Sequence, residues 1–393
     1  MIRIDVITAT RAEYGLMRPL LQKMQDDKEI DLHLIVTGTH LSEQFGCTFH
    51  EIENDGIRIY KKISILSQKN GADGITETMS NAMLGFTEYF LKENPDFLLI
   101  DGDRYEVLAI CLAAVNCKIP VIHCSGGATT EGAADEIFRH CLTKIAYLHF
   151  PTTETYRKRI LQMGEQPDRV FTVGSMGIEN IVTQKLMSKK ELEQSIGFKL
   201  DMPYAVVTFH PVTLESDSAL EQINALIEAC KETVDMKFIF TMANADDGGE
   251  IINKRIMEFA DTSDRVLSVK SLGAYRYLSA LKHCEFVIGN SSSGLIEAPS
   301  FKIPTVNIGD RQKGRIKAGS VIDCLENKES IIEAIHKARS DDFRKKCSKV
   351  INPNGDGNTS SKIIYHIKNY VKHHSVDLKK KFYDIDYYYN SIK

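Results

Sequence analysis

The sequence predicts an α/β protein built from two parallel-sheet domains, and three observations carry that expectation. Short β-rich runs alternate with helical stretches, a pattern that builds parallel sheets covered on both faces. The alternation runs through twice, and the two blocks meet near residues 174–180. The loops richest in polar chemistry follow strand ends, at 8–15, 101–106, 123–140, 210–215, 244–249 and 290–297. Ligands of such sheets bind beyond the carboxyl ends of the strands. Six loops in that position imply two Rossmann-like domains facing each other across one active-site cleft.

The elements follow in order. In the first block strands are expected at 3–8, 31–37, 97–100 and 121–123, and helices at 17–27, 74–93 and 105–116, where apolar residues recur at helical spacing. Arg3 and Asp5 interrupt the first apolar run, so it reads as a strand and not as a signal peptide. In the second block strands are expected at 204–209, 237–241, 266–268, 286–289 and 305–308, with helices at 219–233, 274–283, 295–299 and 330–338. The stretch 379–390 is low in complexity and reads as a partly ordered tail.

The chain has 393 residues, 43% of them hydrophobic, which suffices for ordinary cores. A net charge of −4 and a pI near 6.3 argue against a general nucleic-acid binder. No apolar run approaches the ~18 residues of a membrane span. Nine scattered cysteines without a Cys-x-x-Cys pair read as reduced thiols of a cytoplasmic protein. No pair of histidines sits at metal spacing beside a carboxylate ligand set, so chemistry without a metal is expected. The first strand-to-helix loop lacks the G-x-G-x-x-G fingerprint, so no dinucleotide cofactor is expected.

The most informative stretch is Gly289-Asn-Ser-Ser-Ser-Gly-Leu-Ile-Glu-Ala-Pro-Ser300. Ser291, Ser292, Ser293 and Gly294 fall between a strand end and a predicted helix start, where unpaired backbone N–H groups favour a phosphate or diphosphate. Glu297, one turn further, can accept hydrogen bonds from a ribose diol. A Ser-capped helix beside a basic loop is the plainer reading. Arg311, Lys313 and Arg315 follow the next strand. Arg11, in Thr10-Arg-Ala-Glu-Tyr-Gly15, can approach a phosphate, or simply start a surface helix.

Asp101-Gly-Asp-Arg-Tyr-Glu106 ends a strand with three carboxylates, and Asp103 is the preferred proton-transfer group. Asp101 or Glu106 can instead cap the next helix or orient Arg104. In the segment 123–140, His123 stands at a strand end, Gly126, Gly127 and Gly132 permit close backbone approach, and Asp135, Glu136, Arg139 and His140 lie at helical spacing. An Asp135–Arg139 salt bridge is the structural alternative. His210, before Pro211, ends the first strand of the second block and suits acid–base work or a phosphate contact.

Together these motifs resemble the hydrolysing UDP-N-acetylglucosamine 2-epimerases, in the bacterial branch that makes N-acetylmannosamine for sialic acid. The resemblance rests on Thr10–Gly15, Gly102-Asp-Arg-Tyr-Glu106, the His123…His140 block, Phe209-His-Pro211, Gly289–Glu297 and Asn307-Ile-Gly-Asp-Arg-Gln-Lys-Gly-Arg315. It implies a GT-B type fold, a homodimer and a UDP-sugar substrate. It also implies a last helix, at 366–393, that returns to a first domain of 1–175 from a UDP-binding domain of 176–365. In the implied reaction a base removes the C2 proton while UDP leaves C1, and the resulting 2-acetamidoglucal is hydrated. Matching motifs assign the diphosphate to the 290–294 loop and Arg11, the ribose to Glu297, and the phosphate side to His210. Asp103 and Asp135 become the acid–base carboxylates. Arg139, Asn244 and Arg311 complete the candidate binding set.

One departure stands out: relatives carry Glu directly after the Gly-Gly of this block, where this chain has Ala128. Losing a general acid or base costs on the order of 100- to 10,000-fold. Either Glu131 or Glu136 substitutes, or turnover is weakened. UDP-2,4-diacetamido-2,4,6-trideoxyglucose is the alternative substrate. A GT-B glycosyltransferase and a nucleotide-sugar-binding regulator without turnover are the other readings.

Overall fold

A computed structural model describes residues 1–69, 71–129, 134–211, 219–243 and 249–385. The chain forms two compact units, one of Met1–Asn180 with Gly357–Lys393, the other of Ile181–Asp356. Among the described residues no helix is long and apolar enough to cross a membrane.

In the first unit β1 (Ile2–Thr8), β2 (Ile30–Thr37), β3 (Ile59–Ile63), β4 (Phe97–Asp101), β5 (Val121–Cys124) and β6 (Leu148–Phe150) form one parallel sheet in the order β3-β2-β1-β4-β5-β6. Successive side chains of a strand point to opposite faces, and the core divides accordingly. Ile4, Val6, Leu34, Val36, Phe97 and Leu99 pack on one face against Met17, Leu20, Leu21 and Met24 of the Arg11–Asp26 helix. Ile7, Ile35, Leu98 and Ile100 pack on the other against the helices Gly71–Glu93 and Tyr105–Asn116.

In the second unit β7 (Tyr204–Thr208), β8 (Lys237–Thr241), β9 (Val266–Val269), β10 (Phe286–Gly289), β11 (Thr305–Ile308) and β12 (Val321–Cys324) repeat the design, in the order β12-β11-β10-β7-β8-β9. Val207, Phe238, Phe240, Phe286, Ile288 and Val306 are among its fully buried residues.

The units divide later than residue 175 and earlier than residue 365, for a physical reason. The buried carboxylate of Glu179 accepts from Lys23 Nζ (2.7 Å) and from the backbone N–H of Ser360 (2.6 Å), while Thr359 Oγ1 donates to Ser175 O (3.1 Å). These bonds tie both segments to the first unit. The Thr359–His373 helix then lays Ile363, Ile364, Ile367 and Tyr370 into that unit's core.

Three strands absent from the expected set, β3, β6 and β12, are sheet edges. The first helix starts at Arg11 and not near residue 17. Thr10 caps it, and Glu13 closes a reciprocal capping box. The tail is docked on the first unit from Asp377 to Tyr383; residues 386–390 lie outside the described residues.

Candidate active site

Both sheets reverse their direction of winding at one place, between β1 and β4 in the first unit and between β7 and β10 in the second. Loops splay apart at such a switch point and leave a crevice at the carboxyl ends of the strands. Arg11 and Asp103 follow β1 and β4. His210 and Asn290 to Ser293 follow β7 and β10. Each unit therefore presents its candidate residues where its own topology opens a binding edge.

In the first unit Asp103 is held by Arg139, whose Nε donates to Oδ2 at 2.8 Å and whose Nη2 bonds the same oxygen. The grip leaves Oδ1 outside it, on a side chain that is 26% exposed while Arg139 is 7% exposed. Arg139 Nη1 also donates to Glu136 Oε2 (2.8 Å) and to the backbone carbonyl of Ala128 (3.1 Å). Glu136 Oε1 in turn meets His140 Nε2 at 2.9 Å. One arginine thus joins the β4 loop, the loop after β5 and the Ala134–Ile145 helix. It pairs with Asp103 and Glu136, not with Asp135 at i−4 as helical spacing suggested; Asp135 is exposed.

Other residues are less direct than the sequence suggested. His123 is fully buried and sets the β4 loop through Nε2 to Gly102 O at 2.9 Å. Burial holds it down to about 4, which favours the neutral ring. Arg11 is exposed and paired with Glu51 at 3.0 Å. Neither Asp101 nor Glu106 caps the helix that follows. Asp101 accepts from Ser125 Oγ (2.7 Å), and Glu106 orients Arg104 (2.5 Å). Ser125 takes φ 63, a conformation costly for a side-chain residue and found often at functional turns. Glu131 lies outside the described residues, as does Asn244.

Glu13 is a further neighbour of the β4 loop, and its signal in the sequence is the Thr-x-x-Glu capping box. Its Oε2 accepts from the backbone N–H groups of Ala9 (2.8 Å) and Thr10 (3.1 Å). Burial, reinforced by the Glu106 and Asp101 carboxylates, pushes it up to about 7, and burial pushes Asp101 up to about 6. A folded pKa above the unfolded value of 4.5 gives stability that is complete below that value and lost as pH rises through about 7. Glu13→Gln keeps an oxygen for both amides and removes the charge. Urea unfolding is expected to show its stability relative to the parent rising by roughly 2–3 kcal/mol between about pH 5 and about pH 8. A difference that does not change with pH contradicts a buried, ionising Glu13.

In the second unit Asn290 holds His210 just beyond the end of β7. Its Oδ1 accepts from the His210 N–H and its Nδ2 donates to the His210 carbonyl, both at 2.7 Å. Arg311 Nη1 (3.2 Å) and the buried Gln312 Nε2 (2.8 Å) both donate to Asn290 O. Gly289 has φ +134, and a Cβ there would lie 1.9 Å from Thr208 O, so β10 approaches β7 only as glycine. The helix after the loop is a single turn, Ser293–Ile296, followed by a 3-10 turn at Ala298–Phe301 that contains Pro299. Proline forbids the continuous helix that was expected. Ser292 makes no side-chain cap bond, and Glu297 sits at the end of the turn instead of inside a helix. The serines act otherwise: Tyr277 Oη donates to Ser293 Oγ at 2.6 Å. Burial raises the Glu297 carboxyl above its usual range, against a bond from Ser293, and Glu297 Oε2 has no hydrogen-bond partner among the described residues. A half-satisfied buried carboxylate is an acceptor waiting for donors.

Comparison with known proteins agrees with this architecture. A polysialic acid biosynthesis protein P7 of Escherichia coli is 39% identical over 388 residues, 98% of each chain. A GDP/UDP-N,N'-diacetylbacillosamine 2-epimerase (hydrolyzing) of Campylobacter jejuni is 39% identical over 343 residues, 87% of this chain and 88% of its own. A crystal structure of a UDP-N-acetylglucosamine 2-epimerase assigned in Listeria monocytogenes superposes with a TM-score of 0.80 at 21% identity, covering 95% of this chain and 98% of the other. That likeness shows the GT-B type fold of paired six-stranded parallel sheets. The family model for UDP-N-acetylglucosamine 2-epimerase matches residues 22–368. With that match and relatives at 39% identity across nearly the whole length, the chain belongs to the UDP-N-acetylglucosamine 2-epimerase family.

Proposed function

We propose that this chain is a hydrolysing 2-epimerase of a UDP-2-acetamido sugar. The base removes the C2 proton, the C1–O bond breaks, and UDP leaves with the electron pair. Water then adds across the C1–C2 double bond of the 2-acetamidoglucal, with C2 protonated from the opposite face. On UDP-GlcNAc the products are N-acetylmannosamine, a precursor for sialic acid synthesis, and UDP. The observation that carries the reading is Asp103: a carboxylate at the switch point of the first sheet, gripped by Arg139 through one oxygen only. Asp103 and Asp135 serve as acid–base groups, with Glu131 or Glu136 beside them. Ser291 to Gly294, His210, Arg311 and Arg11 serve the diphosphate, and Glu297 serves the ribose. The same reading places the reaction in the cytoplasm and includes a homodimer. Exposed Leu84 and Leu91, seven residues apart on one helix, offer an apolar face for it.

A second substrate is favoured by a particular finding. The relative from Campylobacter jejuni carries N,N'-diacetylbacillosamine in its name. UDP-2,4-diacetamido-2,4,6-trideoxyglucose undergoes identical chemistry at C1 and C2. UDP release from each sugar without any acceptor separates the two, and release that requires an acceptor points to a glycosyltransferase instead.

Ala128 belongs to the same test. Its carbonyl already binds Arg139, so a longer side chain at this position starts beside the Asp103–Arg139 pair. Ala128→Glu is expected to raise turnover at least tenfold, about 1.4 kcal/mol of barrier, with UDP affinity little changed. A fully active parent that gains nothing from Ala128→Glu and loses activity in Glu131→Ala contradicts the claim that position 128 impairs catalysis.

A further inference from the structure

The Ala134–Ile145 helix carries Asp135, Glu136, Arg139 and His140 on twelve residues, too short to be stable without help from its surroundings. Its last carbonyls are the groups a helix leaves unpaired, and they carry the negative end of its dipole. A lysine from far along the chain meets them. Lys380 Nζ donates to Lys144 O at 2.9 Å and to Ala146 O at 2.7 Å, more than 230 residues away in sequence.

The same ammonium pairs with Glu165 Oε2 at 2.6 Å. Glu165 is almost fully buried, and its other partners are Lys144 Nζ (2.6 Å) and His149 Nε2 (3.1 Å). Burial alone would raise the Glu165 carboxyl, yet His149, Lys144 and Lys380 together hold it down to about 2. The carboxylate is therefore a fixed negative post for both lysines.

The segment around Lys380 is seated by further contacts. Asp377 N donates to Tyr147 Oη (3.2 Å), Tyr383 N donates to Gly164 O (2.8 Å), and Gln166 Nε2 donates to Lys381 O (3.3 Å). Phe382 lies on Gly164, where a Cβ would come within 2.3 Å of the ring. The ring is still 63% exposed. The strap is held mainly by polar bonds and little apolar burial, so it holds the helix without belonging to the core.

We propose that residues 376–383 form a strap that sets the position of the Ala134–Ile145 helix, with Lys380 as a positioning residue for the reaction. Lys380 caps the far end of the helix whose near half presents Glu136 and Arg139, and Arg139 holds Asp103. A change at the strap reaches the acid–base group through one rigid helix and one ion pair. The proposal rests on the epimerase reading for its effect on turnover, and on the helix alone for its effect on protection.

The test uses the full chain with Lys380→Ala, Lys380→Arg and a chain ending at His374. Hydrogen exchange read by mass spectrometry is expected to show faster exchange confined to 134–146 in Lys380→Ala. Lys380→Arg should restore protection, since a guanidinium can donate to the same carbonyls. Turnover of UDP-GlcNAc is expected to fall at least fivefold in kcat, with KM and calorimetric UDP affinity within twofold of the parent. The chain ending at His374 should show both effects at least as strongly. Unchanged exchange in 134–146 overturns the proposal whatever the activity. Faster exchange with unchanged kcat overturns the catalytic half. Faster exchange spread over the whole first unit, or no rescue by Lys380→Arg, overturns the specific role of Lys380. A parent that turns over no UDP-sugar counts against the proposed function instead, and the exchange result then decides the strap by itself.

Discussion

Asp103→Asn is expected to lower kcat by roughly 100- to 10,000-fold, the range for losing a positioned proton-transfer group. Asparagine keeps an oxygen where Arg139 Nε and Nη2 donate, so the loop after β4 should hold its place. What disappears is the basicity of the oxygen outside the grip. UDP affinity should stay within about twofold, because the residues assigned to UDP, Arg11 apart, lie in the other unit and Asp103 is not among them. Steady-state kinetics with calorimetry on the same preparation check both halves. A variant retaining more than a tenth of parental kcat removes Asp103 from the chemistry. Equal loss of kcat and UDP affinity would point to a disordered fold instead.

Glu297→Ala is expected to weaken UDP binding by roughly 1–3 kcal/mol, the worth of charge-assisted hydrogen bonds to a ribose diol, which is about 5- to 150-fold in Kd. The unpartnered Oε2 sharpens the expectation. A carboxylate raised by burial and satisfied on one side contributes little to the ligand-free protein. The variant should therefore unfold at a temperature no lower than the parent while binding UDP more weakly. Unchanged affinity by calorimetry takes Glu297 out of the nucleotide site. A lowered melting temperature without an affinity change makes it a structural residue bonded to Ser293.

The sequence made the central strands legible because buried strands are continuous apolar runs. Phe97-Leu-Leu-Ile100 and Phe286-Val-Ile288 can scarcely be read otherwise. Three of the four edges, β3, β6 and β12, were not legible, for the converse reason; the fourth, β9, keeps the apolar Val266-Leu267 and was legible. β3 carries Lys61 and Lys62 on an exposed strip, β6 has three residues, and β12 contains Asp323. Edge strands are kept short and charged to prevent further pairing, which erases the pattern that reveals a strand. Loop positions at the strand ends were legible, since parallel topology dictates them. Partners inside those loops were not. Helical spacing offers Asp135, four residues away, as the alternative partner of Arg139, but the bonds are to Glu136 and to Asp103, 36 residues away. Local spacing cannot weigh a tertiary partner brought in by a neighbouring strand. The helix expected at 295–299 stops at Pro299, but the structure starts its turn two residues earlier, at Ser293, and breaks it at Glu297 before a 3-10 turn, a tightening that residue spacing does not reveal. The docking of Lys380 had no local signal, because a lysine that caps a helix in another part of the chain looks like any lysine in a basic tail.

The central claim is that the chain breaks the C2–H and C1–O bonds of a UDP-2-acetamido sugar and returns a hydrated 2-epimer. Turnover of UDP-GlcNAc in deuterated water, followed by NMR, tests it most directly. The account predicts free N-acetylmannosamine carrying deuterium at C2, formed together with UDP and without any acceptor. UDP release with full retention of hydrogen at C2, or release only when an acceptor is supplied, would contradict it.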